Sequence, residues 1–178
     1  MKFQIDHERN PIKLVSEMTN IFSSPAAEKH FQRHLFQSGK AGGTFIPAIR
    51  HLNDLLEIIH TLEPIESREQ GRMRKAFVFS HNAPIGYMGI TQRLPEHEAR
   101  LEYEYRDRIR IAYLPVDEWE QTPIFTVIAQ WSKSQWNIIT AHPGGVSYPF
   151  PSSKMELPLK AAAQDYWQRH VLLKKREV

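Results

Sequence analysis

Ile124-Phe125-Thr126-Val127-Ile128-Ala129-Gln130-Trp131 and Trp136-Asn137-Ile138-Ile139-Thr140 are two β-rich runs, divided by Ser132-Lys133-Ser134-Gln135. β-Branched and aromatic side chains fit a pleated, half-buried surface, and a short polar break between two such runs suits a hairpin. The second run continues into Ala141-His142-Pro143, where the proline limits the strand. Because side chains alternate along a strand, Thr140 and His142 leave the same face at its end, two residues apart. Polar groups at a strand end are well placed to meet a ligand. A solvated terminus with a satisfied histidine is the plainer reading of the same pattern.

Working back from this hairpin, Leu101 to Tyr105 alternates as a strand with one buried face does, and Arg108-Ile109-Arg110-Ile111-Ala112-Tyr113-Leu114 reads as another. Ala76 to Ser80, His81 to Pro84 and Ile85 to Thr91 read as strand, turn and returning strand. Before them the period changes. Ile49, Leu52, Leu55, Leu56, Ile59 and Leu62 recur at helical intervals after Pro47. Ser24 as N-cap with Pro25 at the first position starts a helix that carries Ala26, Ala27, Phe31 and Leu35 on one face, with His30 and His34 one turn apart. A first short helix is expected from Pro11 to Phe22, and Glu63 to Lys75, charged and without period, reads as a connector. Past Pro143 the chain is broken by Gly144, Gly145, Pro149, Pro151 and Pro158, and a last helix is expected from about Leu159 to Leu173.

Helices first and strands after predict a single α+β domain over residues 1–178: a helical lobe over 1–63, an antiparallel sheet over 76–143, and a proline-rich segment with a C-terminal helix over 144–178. A chain of 178 residues, 41% hydrophobic and 24% charged, can bury a sufficient core without staples. With no cysteine, disulfides, thiolate metal sites and cysteine nucleophiles are all excluded. No apolar run approaches the roughly 18 residues that a membrane span needs, and Met1 to Asn10 is polar, so a cytoplasmic protein is expected. A net charge of +3 with nine further histidines agrees with a polyanionic partner without demanding one.

His30 and His34 have the spacing of two metal ligands on a helix, but Phe31 stands where a zinc protease helix has its Glu, and no metal is expected. Gly39-Lys40-Ala41-Gly42-Gly43 lacks the spacing and preceding strand of a phosphate loop, so no nucleotide triphosphate and no other cofactor is expected, and without a GxSxG elbow acyl-enzyme chemistry has no specific support.

Three short motifs fall in a telling order: Glu28-Lys29-His30 on an early helix, Thr44-Phe45 before the longest helix, and Thr140-Ala141-His142-Pro143 at the end of the last core strand. In this the chain resembles the RNase A-like toxin domains at the C-termini of bacterial contact-dependent inhibition and other polymorphic toxins, over roughly Ser24 to Pro143. The resemblance implies a metal-independent ribonuclease with a two-lobed, kidney-shaped α+β fold and a site between helical lobe and sheet. It also implies that His30 is a catalytic histidine and that Thr140 lines the site. His142 replaces the family's usual Tyr, and the Arg expected after the first motif has no match, leaving Lys40 or Arg33 in its place.

Cleaving RNA through the 2′-hydroxyl needs a base for that proton, an acid for the leaving 5′-oxygen, and donors for the charge growing on phosphorus. His30 and His142 would supply base and acid in either order, Lys40 or Arg33 would face the phosphorane, and Thr140 would hydrogen-bond phosphate or base. Arg108 and Arg110, alternating with Ile109 and Ile111, are candidates to contact RNA phosphates, or else line a solvated face. Partners expected on this reading are RNA and a cognate immunity protein, acidic where it covers the site. Two rivals stand beside it. One is a Gcn5-related acetyltransferase built on the Phe77 to Thr91 hairpin, although Arg106 to Arg110 lacks the glycines of its pyrophosphate loop. The other is a non-catalytic RNA- or protein-binding module anchored by the four tryptophans.

Overall fold

The structure, a computed structural model, describes residues 24–35, 43–71, 73–88, 92–93, 102–106, 109–114, 119–133 and 135–175. The helix expected over Pro11 to Phe22 lies outside the described residues. The chain is α+β, with three helices and three small sheets among the described residues. Helix α1 spans Pro25–Phe31 and runs into a 3-10 turn, Gln32–His34; α2 spans Leu52–Ile59 and α3 Leu157–Arg169. The strands are β1 (Thr44–Phe45), β2 (Glu66–Gly71), β3 (Arg74–Ser80), β4 (Gly86–Tyr87), β5 (Gln92–Arg93), β6 (Glu102–Arg106), β7 (Ile109–Leu114), β8 (Gln121–Thr122), β9 (Ile124–Ser132), β10 (Gln135–Pro143) and β11 (His170–Lys175).

The expected hairpin of Ile124 to Thr140 forms the edge of the central sheet, whose order is β10-β9-β3-β2 with every pair antiparallel. Register puts Phe77 opposite Val127 and Phe79 opposite Phe125, so these four share one face with Ala129, Ile138 and Ala141. Against that face lie Ala27 and Phe31 of α1 and Leu52, Leu55 and Ile59 of α2, which form the main hydrophobic core. Aromatic contacts key it together: Phe79 stacks on Phe125 at 5.2 Å and Phe77 meets Trp136 edge-on at 5.5 Å.

Both helices start where hydrogen-bonding side chains satisfy their first amides. Ser24 Oγ accepts from the Ala27 amide at 3.1 Å, with Pro25 following as the first helical residue. In α2 the Asp54 carboxylate reaches back to the amides of Arg50 and His51 at 2.8 and 2.9 Å, and these bonds hold its pKa low. The helix therefore begins at Leu52 rather than directly after Pro47, although Ile49 still joins the core. Glu28 Oε2 accepts from the Leu52 amide at 3.1 Å and ties α1 to the start of α2.

Three expectations need correction. Ala76 to Thr91 is not a hairpin: β3 pairs with β2 and β9, whereas β4 pairs with β1 and β8 in a separate three-stranded sheet. Among the described residues the central hairpin of the acetyltransferase reading is therefore absent, and β6 and β7, on either side of its expected pyrophosphate turn, are antiparallel neighbours. Glu63 to Lys75 is not a plain connector, because β2 forms there as an edge strand. Only Gln70 of its residues is buried, so no apolar alternation marks it, and charge suits an exposed edge. The last helix stops at Arg169, and Val171, Leu172 and Leu173 form the buried middle of β11, an apolar run that period alone cannot assign.

β11 makes the third sheet mixed, order β5-β11-β7-β6, since it runs parallel to β7 and antiparallel to β5. Trp167 of α3 packs there with Leu172, Ile109, Ile111 and Tyr166. Its indole N–H donates to the Tyr148 carbonyl at 3.0 Å, and Gln70 donates to the Ser147 carbonyl at 3.3 Å, so the segment after β10 is fastened on both sides. No helix among the described residues is long and apolar enough to cross a membrane.

Candidate functional site

The site is built on the last turn of β10. Pairing Ile138 with Ala129 and Thr140 with Ile128 leaves Ile139 as an extra residue, a β-bulge that resets the alternation before the strand end. Ala141 then faces the core opposite Val127, and Thr140 and His142 share the other face, with His142 opposite Thr126. Thr126 Oγ1 donates to the Gly144 carbonyl at 2.8 Å, and the Gly144 amide donates to the Ile124 carbonyl at 2.8 Å, which together fix where the chain leaves the strand. Pro143 is seated on Gly86. A Cβ there would lie 2.5 Å from Pro143 Cγ and 2.7 Å from the Thr44 carbonyl oxygen, so β4 and β1 come this close to β10 only because residue 86 has no side chain.

Three imidazoles meet at this corner. The His34 ring centroid is 5.9 Å from His30 and 6.0 Å from His142. α1 lies against β10. Because the helix yields to a 3-10 turn after Phe31, His30 and His34 approach the strand end from two levels of the same segment. His30 and His34 are half-buried and His142 is buried. His142 Nδ1 lies 3.2 Å from the Pro143 carbonyl oxygen, which can only accept, so Nδ1 carries the proton and Nε2 keeps the lone pair.

All three rings are held below the usual histidine range. For His34 burial is the main cause, followed by the positive potential of a protonated His142, and the pKa falls to about 3 despite a hydrogen bond to the Gly43 backbone. Burial lowers His142 as well, partly offset by its bond to Pro143, with His30 adding to the shift. His30 is lowered by burial first and by the Arg33 guanidinium second. At neutral pH the free site therefore presents neutral imidazoles, competent as bases, and an arriving anion is what would raise one of them toward an acid.

Of the residues marked out in the sequence, His30, Thr140 and His142 fall in this corner. Arg33, exposed on the 3-10 turn, is near enough to lower both His30 and His34. Arg110 belongs to the third sheet, where its guanidinium sits 5.7 Å over the Tyr103 ring. Lys40 and Arg108 lie outside the described residues. His34 was marked only for its spacing from His30, and Thr44 only as part of a motif. What brings both into the corner is the ring contact to His142 and the approach of Thr44 to Pro143, neither of which local spacing encodes.

Among the described residues no group of three or more His, Asp or Glu side chains is arranged to hold a metal ion. Trp119, Trp136 and Trp167 are buried, and Trp131 packs against the main core, so the tryptophans do not make the exposed anchor that the binding-module reading asks of them. No known protein family matches the chain, and neither a curated protein nor a solved structure matches it.

Proposed function

We propose that the chain is a metal-independent ribonuclease toxin of the RNase A-like, two-lobed kind, cleaving RNA by attack of the 2′-hydroxyl to leave a 2′,3′-cyclic phosphate. One observation carries the reading: His30 and His142, from an early helix and a late strand, join a single cluster through His34 beside the polar end of that strand. In this reading the neutral Nε2 of one imidazole takes the 2′-hydroxyl proton and a second imidazole, protonated in the presence of the phosphodiester, gives its proton to the departing 5′-oxygen. Thr140 hydrogen-bonds the phosphate, and Arg33 or Lys40 offsets the charge growing on it. Arg108 and Arg110 would bind RNA phosphates further along the strand. A cell making such an enzyme needs an inhibitor, so a cognate immunity protein with an acidic face is part of the proposal, as is action in a cytoplasm, its own or that of a target cell.

The test is cleavage of a labelled single-stranded RNA by the purified chain in EDTA, with products resolved by terminal chemistry. Cyclic phosphate ends are expected, with the DNA of the same sequence untouched because it lacks the nucleophile. His30→Ala and His142→Ala are each expected to lower the rate by about 10²–10⁴-fold. Intact RNA, unchanged cleavage by both variants, or loss of activity in EDTA would each overturn the reading.

A further inference from the structure

We propose that His34 and Thr44, together with Thr140, form a binding site for a tetrahedral oxyanion at the corner where β1, β10 and the 3-10 turn meet. The observation behind it is a coincidence of unmet hydrogen-bonding groups. Thr44 Oγ1, Thr140 Oγ1 and His34 Nδ1 are each buried and have no hydrogen-bond partner among the described residues, and Thr44 and Thr140 are only 1% and 8% exposed. A buried polar atom left unpaired loses its hydration without compensation, so proteins seldom keep one without a reason. Here three of them come from segments packed on one another, since α1, which runs into the turn of His34, and β1 both contact β10. The His34 ring feels the backbone of Gly43, the residue before Thr44, and lies 6.0 Å from His142. Thr140 shares a strand face with His142, and the Thr44 carbonyl abuts the same Gly86 position as the Pro143 ring.

The donor set specifies the ligand. Two hydroxyls donate as they stand and His34 Nδ1 donates once the ring takes up a proton, and a tetrahedral oxyanion offers several acceptors in a small volume. Among the described residues no group of three or more His, Asp or Glu is arranged to hold a cation. Glu28, the nearest acidic group on α1, turns one oxygen to the Leu52 amide and the other toward His51 at 3.5 Å. The groups facing the corner are otherwise basic or neutral: His30, Arg33 and His34 from the N-terminal segment and His142 from β10. An anion among neutral imidazoles favours their protonation, so binding takes up a proton and tightens as pH falls, by up to about tenfold per pH unit for one proton. The assignment deepens the nuclease reading by naming groups that would hold the scissile phosphate, yet it stands or falls on binding rather than on cleavage.

Inorganic phosphate titrated into the full chain at pH 6, followed by the ring signals of the nine histidines, tests it directly. Saturable shifts confined to His30, His34 and His142 are expected, with binding weaker at pH 8. Thr44→Val, which keeps shape and removes the hydroxyl, is expected to weaken phosphate by about tenfold or more, since a hydrogen bond to a charged group is among the stronger ones. His34→Asn is expected to weaken it similarly, and Thr44→Ser to restore it. No shift of these rings at saturating phosphate, meaning that only water fills the corner, overturns the inference, as does wild-type affinity in both Thr44→Val and His34→Asn. Cleavage of RNA without phosphate binding would sink this site and leave the nuclease standing; phosphate binding without cleavage would do the reverse.

Discussion

Replacing Gly86 by Ala probes the joint between the small sheet and the end of β10, where the geometry allows the sign of the effect to be worked out. The added Cβ would lie 2.5 and 2.8 Å from the Pro143 ring and 2.7 Å from the Thr44 carbonyl oxygen. Contacts this short force a displacement, and neither neighbour is the free end of a flexible side chain: one is a proline ring at a strand end, the other a backbone oxygen in β1. Overpacking of this kind costs about 1–3 kcal/mol, and two rigid neighbours place it near the top of that range. Against this, alanine loses less backbone entropy on folding than glycine, a gain of about 0.5–1 kcal/mol in a regular strand. Gly86 has an ordinary backbone angle that alanine can adopt, so no strain adds to the balance. The net expectation is a loss of about 2 kcal/mol, read as a lower urea midpoint at unchanged slope. Pro143 would move, so the His142 ring signal should move with it while the distant His170 stays in place. A midpoint equal to or above that of the parent chain, with His142 unshifted, would refute the seating of Pro143 on Gly86.

Two further outcomes follow from buried polar groups. His34 is held near pKa 3 in the folded chain against 6.5 when free, so the folded state binds fewer protons and its stability is lost as pH falls from about 6.5 toward 3. His30 and His142 shift the same way and reinforce the loss. The decline should reach about 3–5 kcal/mol by pH 3 from His34 alone, and His34→Gln should flatten it in urea melts run from pH 7 to pH 4; a midpoint indifferent to pH in the parent chain would contradict this. Thr126→Val removes the buried donor to the Gly144 carbonyl and is expected to cost about 1–3 kcal/mol, checked by the same denaturation; a change under about 0.5 kcal/mol would show that this bond does not anchor the strand exit.

An element is legible in the sequence to the extent that its contacts are local. The hairpin of β9 and β10 was legible because both strands are rich in β-branched and aromatic residues around a short polar turn, and α1 because Ser24 and Pro25 announce its start. β2 was not, since an edge strand with one buried side chain carries too little pattern to register; β4 lies within an expected strand, but its pairing with β1 and β8 is not local. β11 was mistaken for the end of a helix because Val171, Leu172 and Leu173 are buried whatever the backbone does, and its place beside β7 and β5 is a matter of pairing. In the site, His30, Thr140 and His142 were found through their motifs. His34 was noticed for helical spacing that the chain does not keep, because α1 ends at Phe31.

By itself the sequence determined what local chemistry can encode: an α+β chain without cysteine chemistry, one helix start marked by a capping serine, one strong hairpin, and a threonine and histidine placed together at its end. Tertiary structure alone decided that β3 joins β9 rather than β4, that a glycine in β4 receives Pro143, and that three histidines from two remote segments share one corner. The reason is the range of the forces involved. Propensity, capping and alternation act within a few residues, whereas pairing and convergence depend on which distant surfaces exclude water from one another, a choice that no short stretch of chain contains.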